Sequence, residues 1–494
     1  MLFNSYVFLL VFLPATWVLF HRLWAGGNRR SALASLVAAS LVYYGWWSPK
    51  YLLLILPLLG VDFLLAKALL HLRTRRPVQA KAIVLFGISV NLCALGYYKY
   101  ANFFIDNVNQ FLGLHLVLAT IILPIGISFF TFQKMAFLVD VYQGKVAQAS
   151  LLDYTLFVLF FPQLIAGPIV HHSEVMPQFR DLKRVSARSL GLGLTILILG
   201  LAKKVLLADG AARLASPLFD AVAAGSHLDL LTSWGAALAY TAQIYFDFSG
   251  YSDMAIGLGL LFGIRLPINF HSPYQSASIM EFWRRWHITL SRFLRDYLYI
   301  PLGGNRKGGV RRYGNLAITM VLGGLWHGAG WTFVIWGALH GSYLIINHGW
   351  HALRERLRLI TGQPHPAWGW LSRGITFLAV VIAWVFFRAA DLRTAWDMLR
   401  AMGGGYGMAW PSSMGVPALL FTLGLLVISW VAPNTQQLTA YVGPEGAYRS
   451  VARAPMARRY RWTPSARWAI SIGCTAALCL MMFSQVSEFI YFQF

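Results

Sequence analysis

The chain has 494 residues, 57% of them hydrophobic and only 12% charged, with a mean hydropathy of +0.57, and such a composition excludes a water-soluble core. Its net charge of +23 would suit nucleic acid in a soluble protein. Here the basic residues are confined to the connections between apolar runs, so the positive-inside rule accounts for them and no nucleic-acid partner is expected.

Taken in chain order, apolar runs recur at 2–20, 51–70, 82–98, 114–130, 190–207 and 375–387. At ~20 residues per span, with shorter re-entrant and interfacial pieces allowed, the whole chain carries roughly 11–13 membrane helices and reads as one all-α polytopic protein in contact with membrane lipid. The first run lacks a basic leader and a cleavage site, so it is expected to be a retained span. Basic clusters at Arg22, Arg29 and Arg30, at Arg73, Arg75, Arg76 and Lys81, across 265–312 and across 449–467 should face the cytoplasm, which places the N-terminus outside it. Cys93, Cys474 and Cys479 all lie in apolar runs, which argues against a disulfide framework or a cysteine metal site. No metal ligand set is expected.

Three zones follow. Residues 1–110 are transmembrane hairpins, and 111–348 form a core that includes a basic cytoplasmic segment at 265–315. Residues 349–494 are further helices and loops without visible chemistry. No internal repeat suggests the inverted halves of a transporter.

The core zone holds almost every polar residue at membrane depth. Tyr-Phe-Asp-Phe-Ser-Gly-Tyr-Ser-Asp at 245–253 puts Asp247 and Asp253 in apolar surroundings and on different helix faces. Gly250 and Ser252 suggest a helix break there, with Ser252 or Asp253 capping the next helix. Asp247 could instead orient an imidazole or an arginine. Residues 280–300 read as one amphipathic helix at the cytoplasmic interface: apolar Phe282, Trp286, Leu290, Phe293 and Tyr297 recur at three- and four-residue steps among arginines. His287 lies in that helix, either as a structural residue or as part of a site. The loop Pro-Leu-Gly-Gly-Asn-Arg-Lys-Gly-Gly-Val-Arg-Arg at 301–312 is rich in glycine and positive charge, which suits phosphate groups, although it is not a P-loop. Arg284, Arg285, Arg306 and Lys307 are the candidate donor-binding cations; the alternative is a solvated basic loop. His327 sits in an apolar stretch with no acid or base near it in sequence. An ionisable group at that depth marks a reaction or transport path unless it serves helix packing alone.

The motifs Gly-Tyr-Tyr-Lys-Tyr-Ala-Asn at 96–102, Leu-Pro-Ile-Gly-Ile-Ser-Phe at 123–129, the stretch at 239–257, Glu-Phe-Trp-Arg-Arg-Trp-His at 281–287 and Gly-Gly-Leu-Trp-His-Gly at 323–328 together resemble the membrane-bound O-acyltransferase family, in its bacterial polysaccharide O-acetylation branch. The resemblance covers roughly 1–345 and fades beyond. It implies that His327 is the intramembrane active-site histidine and His287 the second histidine of the family. It also implies acetyl-CoA as a cytoplasmic acyl donor with no permanently bound cofactor, a bacterial inner-membrane location, and a separate periplasmic acetyltransferase that hands the group to a polysaccharide such as alginate. The first histidine of Ala-Gly-Pro-Ile-Val-His-His at 166–172 departs from alginate-specific relatives, where arginine can stand. That weakens any assignment to alginate itself.

Neutral His327 can then act as general base toward an acceptor hydroxyl attacking the thioester, with Trp326 and Asn315 as candidate oxyanion donors. No nucleophilic serine or cysteine motif favours a covalent intermediate. Two other readings stand beside this one: a D-alanyl transferase taking its acyl group from a carrier protein, and a non-enzymatic polysaccharide transporter.

Overall fold

The structure, a computed structural model, describes residues 1–119, 121–306, 308–357, 366–410, 414–444, 460–483 and 489–490. Every regular element among them is helical. Five helices, Val7–Ala25, Pro49–Arg75, Pro77–Leu112, Ala187–Ala223 and Ala367–Arg388, are long and apolar enough to cross a membrane, and Val416–Val431 and Ala466–Met481 are shorter apolar helices. A helix bonds its own amides and carbonyls, which lipid cannot do for it. The chain is therefore a multi-pass membrane protein.

The helix Leu230–Leu261 forms the axis of the fold, with nearly all of its side chains buried. It runs unbroken through Gly250 and Ser252, contrary to the break expected there. Its glycines serve close approach to a neighbour instead of chain reversal. A Cβ on Gly250 would lie 2.7 Å from the Gly200 carbonyl oxygen, and one on Gly257 would lie 2.7 Å from that of Gly193. Small residues on both partners let Ala187–Ala202 cross the axis backbone to backbone.

That crossing delivers two lysines from the π-helical turn Lys203–Ala208. Lys203 Nζ lies 2.6 Å from Asp253, while Lys204 Nζ lies 2.7 Å from Asp247 and 2.8 Å from Asp209. Asp253 also accepts from Thr435 Oγ1 at 2.6 Å and Gln436 Nε2 at 2.8 Å. Among the described residues Asp247 thus orients neither an imidazole nor an arginine, and Asp253 caps no helix. Both carboxylates fasten elements together, as buried charge must be paired to be tolerated. A second such knot holds three N-terminal helices: Asp62 accepts from Asn91 at 2.9 Å and pairs with Lys134 at 3.2 Å.

Gly309–His327 and Trp331–Arg356 form an antiparallel pair joined across Gly328–Gly330. Their contact is again glycine-lined. A Cβ on Gly324 would stand 2.2 Å from the Phe333 carbonyl oxygen, and one on Gly337 would stand 2.4 Å from that of Met320. Gly337→Ala should force the pair apart and cost about 1–3 kcal/mol, as overpacking does. Gly369→Ala, where an added Cβ meets nothing within 4 Å, is the control. Thermal unfolding of the two purified variants should show a lower midpoint for Gly337→Ala only; equal midpoints would contradict the close crossing.

Candidate active site

His327 is the last residue of its helix and is buried, at 3% exposed. Its ring sits among Trp326, Trp336 and Phe387, with centroids 4.8, 5.0 and 5.1 Å away. The His287 ring lies 6.4 Å from it, so the two histidines named from sequence occupy one site.

His287 reaches that site by a route the hydrophobic pattern does not show. The expected continuous helix over 280–300 is broken into Ile279–Arg285 and Ile288–Leu294, with His287 between them at φ 41° and ψ 54°. It is fully buried within the protein. A left-handed conformation costs an L-residue roughly 1–2 kcal/mol, and the segment at 269–271 compensates. His271 N donates to Arg285 O at 2.9 Å and Ile288 N to Asn269 O at 3.0 Å. Thr289 N and Oγ1 donate to Asn269 Oδ1 at 3.2 and 2.9 Å, and His287 Nδ1 lies 3.1 Å from the same oxygen. The Thr289 N–H identifies that atom as the amide oxygen. Nδ1 of a neutral His287 must therefore be the protonated nitrogen, which leaves Nε2 basic.

Two spaces lie near the histidine pair, one lined by His327 itself and the other ending at Trp283, one indole removed from His327. One is a cavity of about 30 Å³ lined by Lys99, Ser128, Trp326, His327 and the 123–127 loop, room for roughly one water-sized group. The other is a groove of about 390 Å³ whose lining includes Trp283, Arg284, Arg295, Asn305, Arg312 and His348. From its inner end Trp283 meets Trp336 edge-on at 5.8 Å, and Trp336 is the indole against His327. The Nε1 atoms of Trp283, Trp326 and Trp336 are buried and have no hydrogen-bond partner among the described residues; the same holds for both ring nitrogens of His340. Unbonded donors this deep are costly and are free to serve a substrate.

The remaining candidates separate. Arg284 lines the groove, but Arg285 is held by Glu281 at 2.6 Å. Arg306 is exposed and outside the groove lining, while Lys307 lies outside the described residues. Asn315 Nδ2 donates to Gly304 O at 3.0 Å. It precedes His327 by twelve residues, about 18 Å along the helix, and so is no oxyanion donor at that ring. Trp326 keeps that possibility. Asp247 and Asp253 belong to the ion pairs of the axis helix.

Sequence reading missed Lys99, His340 and Asn269 as site residues, while Arg312 fell within the basic segment expected to hold phosphates. Lys99 had a signal, being a lysine in an apolar span. Sequence also gave no sign that Asp140, His171 and His172 would bring their ligand atoms within 4.8 Å of one another. Bonds within the protein account for that cluster: Tyr297 OH donates to Asp140 Oδ2 at 2.7 Å, His172 Nδ1 lies 3.0 Å from the same atom, and Lys145 Nζ lies 3.0 Å from Oδ1.

Asn269→Leu keeps the side chain's size but removes the acceptor shared by His287 and Thr289. The expected loss of stability is about 1–3 kcal/mol, read as a lower unfolding midpoint. An unchanged midpoint would show that Asn269 does not support the left-handed turn.

Comparison with known proteins gives the family. The family model described as "MBOAT, membrane-bound O-acyltransferase family" matches residues 97–388, which includes both histidines, Lys99 and the groove. The chain is 45% identical over 409 residues to a probable alginate O-acetylase AlgI of Pseudomonas aeruginosa, covering 81% of this chain and 75% of the relative. It is 42% identical over 438 residues to a peptidoglycan O-acetyltransferase of Helicobacter pylori, covering 83% and 81%. A probable alginate O-acetylase AlgI of Pseudomonas putida aligns over the whole of both chains at 39% identity, so similarity continues through the last third, where the motifs alone had suggested that it fades. A histidine pair buried at the end of a glycine-packed helical hairpin, inside a matched family region that spans more than half the sequence, assigns the chain: it is an acyltransferase and belongs to the membrane-bound O-acyltransferase family.

Proposed function

We propose that the protein moves an acetyl group from cytoplasmic acetyl-CoA, through the bacterial inner membrane, toward O-acetylation of an extracytoplasmic polysaccharide. The observation that carries this reading is that His327 lines a small cavity and packs against Trp336, which meets Trp283 in the lining of a groove of different chemistry. The groove, lined by Arg284 and Arg312 and by an Arg295 already paired with Asp296 at 2.6 Å, lies at the basic end of the helix pair, where Arg311, Arg312, Arg354 and Arg356 occur. Guanidinium groups are suited to the donor's phosphates, and the positive-inside rule supports a cytoplasmic placement of that end. His327 stands eighteen residues beyond Gly309, about 27 Å along the helix. The small cavity with Lys99 lies beside it, at the opposite end of the hairpin.

In this reading the thioester enters from the groove and passes Trp283 and Trp336. An acceptor hydroxyl comes from the other side, and neutral His327 accepts its proton as the oxygen attacks the thioester carbonyl. The carbonyl oxygen takes up negative charge, for which the unbonded Nε1 groups of Trp326 and Trp336 are candidate donors. The C–S bond then breaks, and the leaving thiolate takes the proton and departs as the free thiol of coenzyme A. His287 lines the site and aids positioning.

Names of relatives include both alginate and peptidoglycan O-acetylation, so the polymer class, not one polymer, is the supported acceptor. The link from Gly328 to Gly330 and the segment at 113–126, both at the His327 end, are too short to grip a long polymer. We therefore assign delivery to a separate periplasmic acetyltransferase.

His327→Ala should leave a folded, membrane-inserted protein with acyl transfer from acetyl-CoA reduced about 10²–10⁴-fold, the usual cost of a lost general base. Transfer near the wild-type rate by that variant would overturn the assignment. Arg284→Glu with Arg312→Glu should raise the KM for acetyl-CoA while leaving kcat at saturation nearly unchanged. An unchanged KM would remove the groove as the donor site.

A further inference from the structure

Lys99 has no part in the chemistry described so far. It sits in the π-helical turn Gly96–Tyr100 of the apolar span Pro77–Leu112, and no carboxylate among the described residues pairs with it. A cation at that depth is costly, and its three hydrogen bonds show what it holds. Lys99 Nζ donates to Trp326 O at 2.5 Å, to His327 O at 3.2 Å and to Ser128 Oγ at 3.3 Å. The next residue continues the pattern, since Tyr100 OH donates to Leu325 O at 2.7 Å.

The last four carbonyls of a helix have no partner within it. Here two consecutive side chains of one turn satisfy the carbonyls of residues 325, 326 and 327. A positive charge at a helix C-terminus also complements the helix dipole, and π-turns inside helices are frequently found at functional sites. An ammonium has three protons and no lone pair. All three are committed, so Lys99 is not available to bind a developing oxyanion.

We propose that Lys99 is a positioning residue for acyl transfer. With Tyr100 it caps the helix that ends in His327, and through Ser128 it ties that cap to the first turn of the helix Ile127–Tyr142, which walls the small cavity. The imidazole is thereby fixed relative to both substrates. This rests on the reading of His327 as the general base. Lys99 acts through His327 and makes no contact with the donor groove, whose lining does not include it.

The test uses the purified full-length chain with labelled acetyl-CoA and a small hydroxyl acceptor. Lys99→Met keeps an unbranched side chain and removes all three donors, while Tyr100→Phe removes one. Displacing a reacting group by an ångström can cost about 10²-fold. Lys99→Met should therefore lose about that much in kcat, with the KM for acetyl-CoA unchanged, and Tyr100→Phe should lose roughly tenfold in the same sense. In the His327→Ala background, Lys99→Met should cause no further loss, because groups that act as a unit are not additive. A wild-type kcat in Lys99→Met, a raised donor KM with kcat preserved, or a further full loss in the double variant would each overturn the proposal. If Lys99→Met does not fold, Tyr100→Phe decides: a wild-type kcat there overturns the cap. Full activity of His327→Ala would instead remove the general base on which the proposal rests, and that outcome is separate from the others.

Discussion

A charge or an unpaired backbone group inside a membrane protein has no water to turn to, and the arrangement of this molecule follows from where such groups find partners. The lysines of the Lys203–Ala208 turn can reach Asp247 and Asp253 only because Gly193, Gly200, Gly250 and Gly257 let two helices touch backbone to backbone. Those ion pairs hold the axis helix in register, and the axis helix in turn supports the site. Ser252 Oγ lies 3.3 Å from Asn269 Nδ2, and Phe248 meets the His287 ring edge-on at 4.7 Å. Asn269 then secures the left-handed His287. A loss of pairing on the axis helix is thus transmitted to the histidines within two contacts.

The same principle shapes the His327 side. The hairpin that carries it is packed through Gly324 and Gly337 and ends in carbonyls that Lys99 and Tyr100 satisfy from another helix. Near the histidine pair the buried Nε1 atoms of Trp283, Trp326 and Trp336 and both ring nitrogens of His340 have no hydrogen-bond partner among the described residues. The region also coincides with the part of the chain matched to the O-acyltransferase family.

Sequence reading recovered what local pattern encodes. Apolar runs marked an all-α membrane protein, and an isolated histidine in such a run marked His327. Motif resemblance added His287 and the family. It failed where long-range contact overrides local preference. Gly250 and Ser252 look like a break but lie mid-helix, because the missing side chain serves a neighbouring helix instead of a turn. The mixed aromatic and basic pattern over 280–300 looks like a surface helix, but Trp286 and His287 are pulled inward by residues 269–271. Asp247 was a sound candidate for a buried partner, but its partner, Lys204, lies 43 residues away in sequence, a separation no pattern reports. Lys99 was visible as an anomaly. Its meaning depends on carbonyls more than two hundred residues later.

The central claim is that one buried site joins a donor on the basic face to an acceptor on the other. Oriented proteoliposomes test it most directly. With labelled acetyl-CoA supplied only on the side bearing Arg312 and a small hydroxyl acceptor sealed on the opposite side, labelled acetyl ester should accumulate in the acceptor compartment. Free coenzyme A should appear only on the donor side, and both signals should vanish in His327→Ala. Label recovered solely on the donor side, or transfer that persists without His327, would contradict the account.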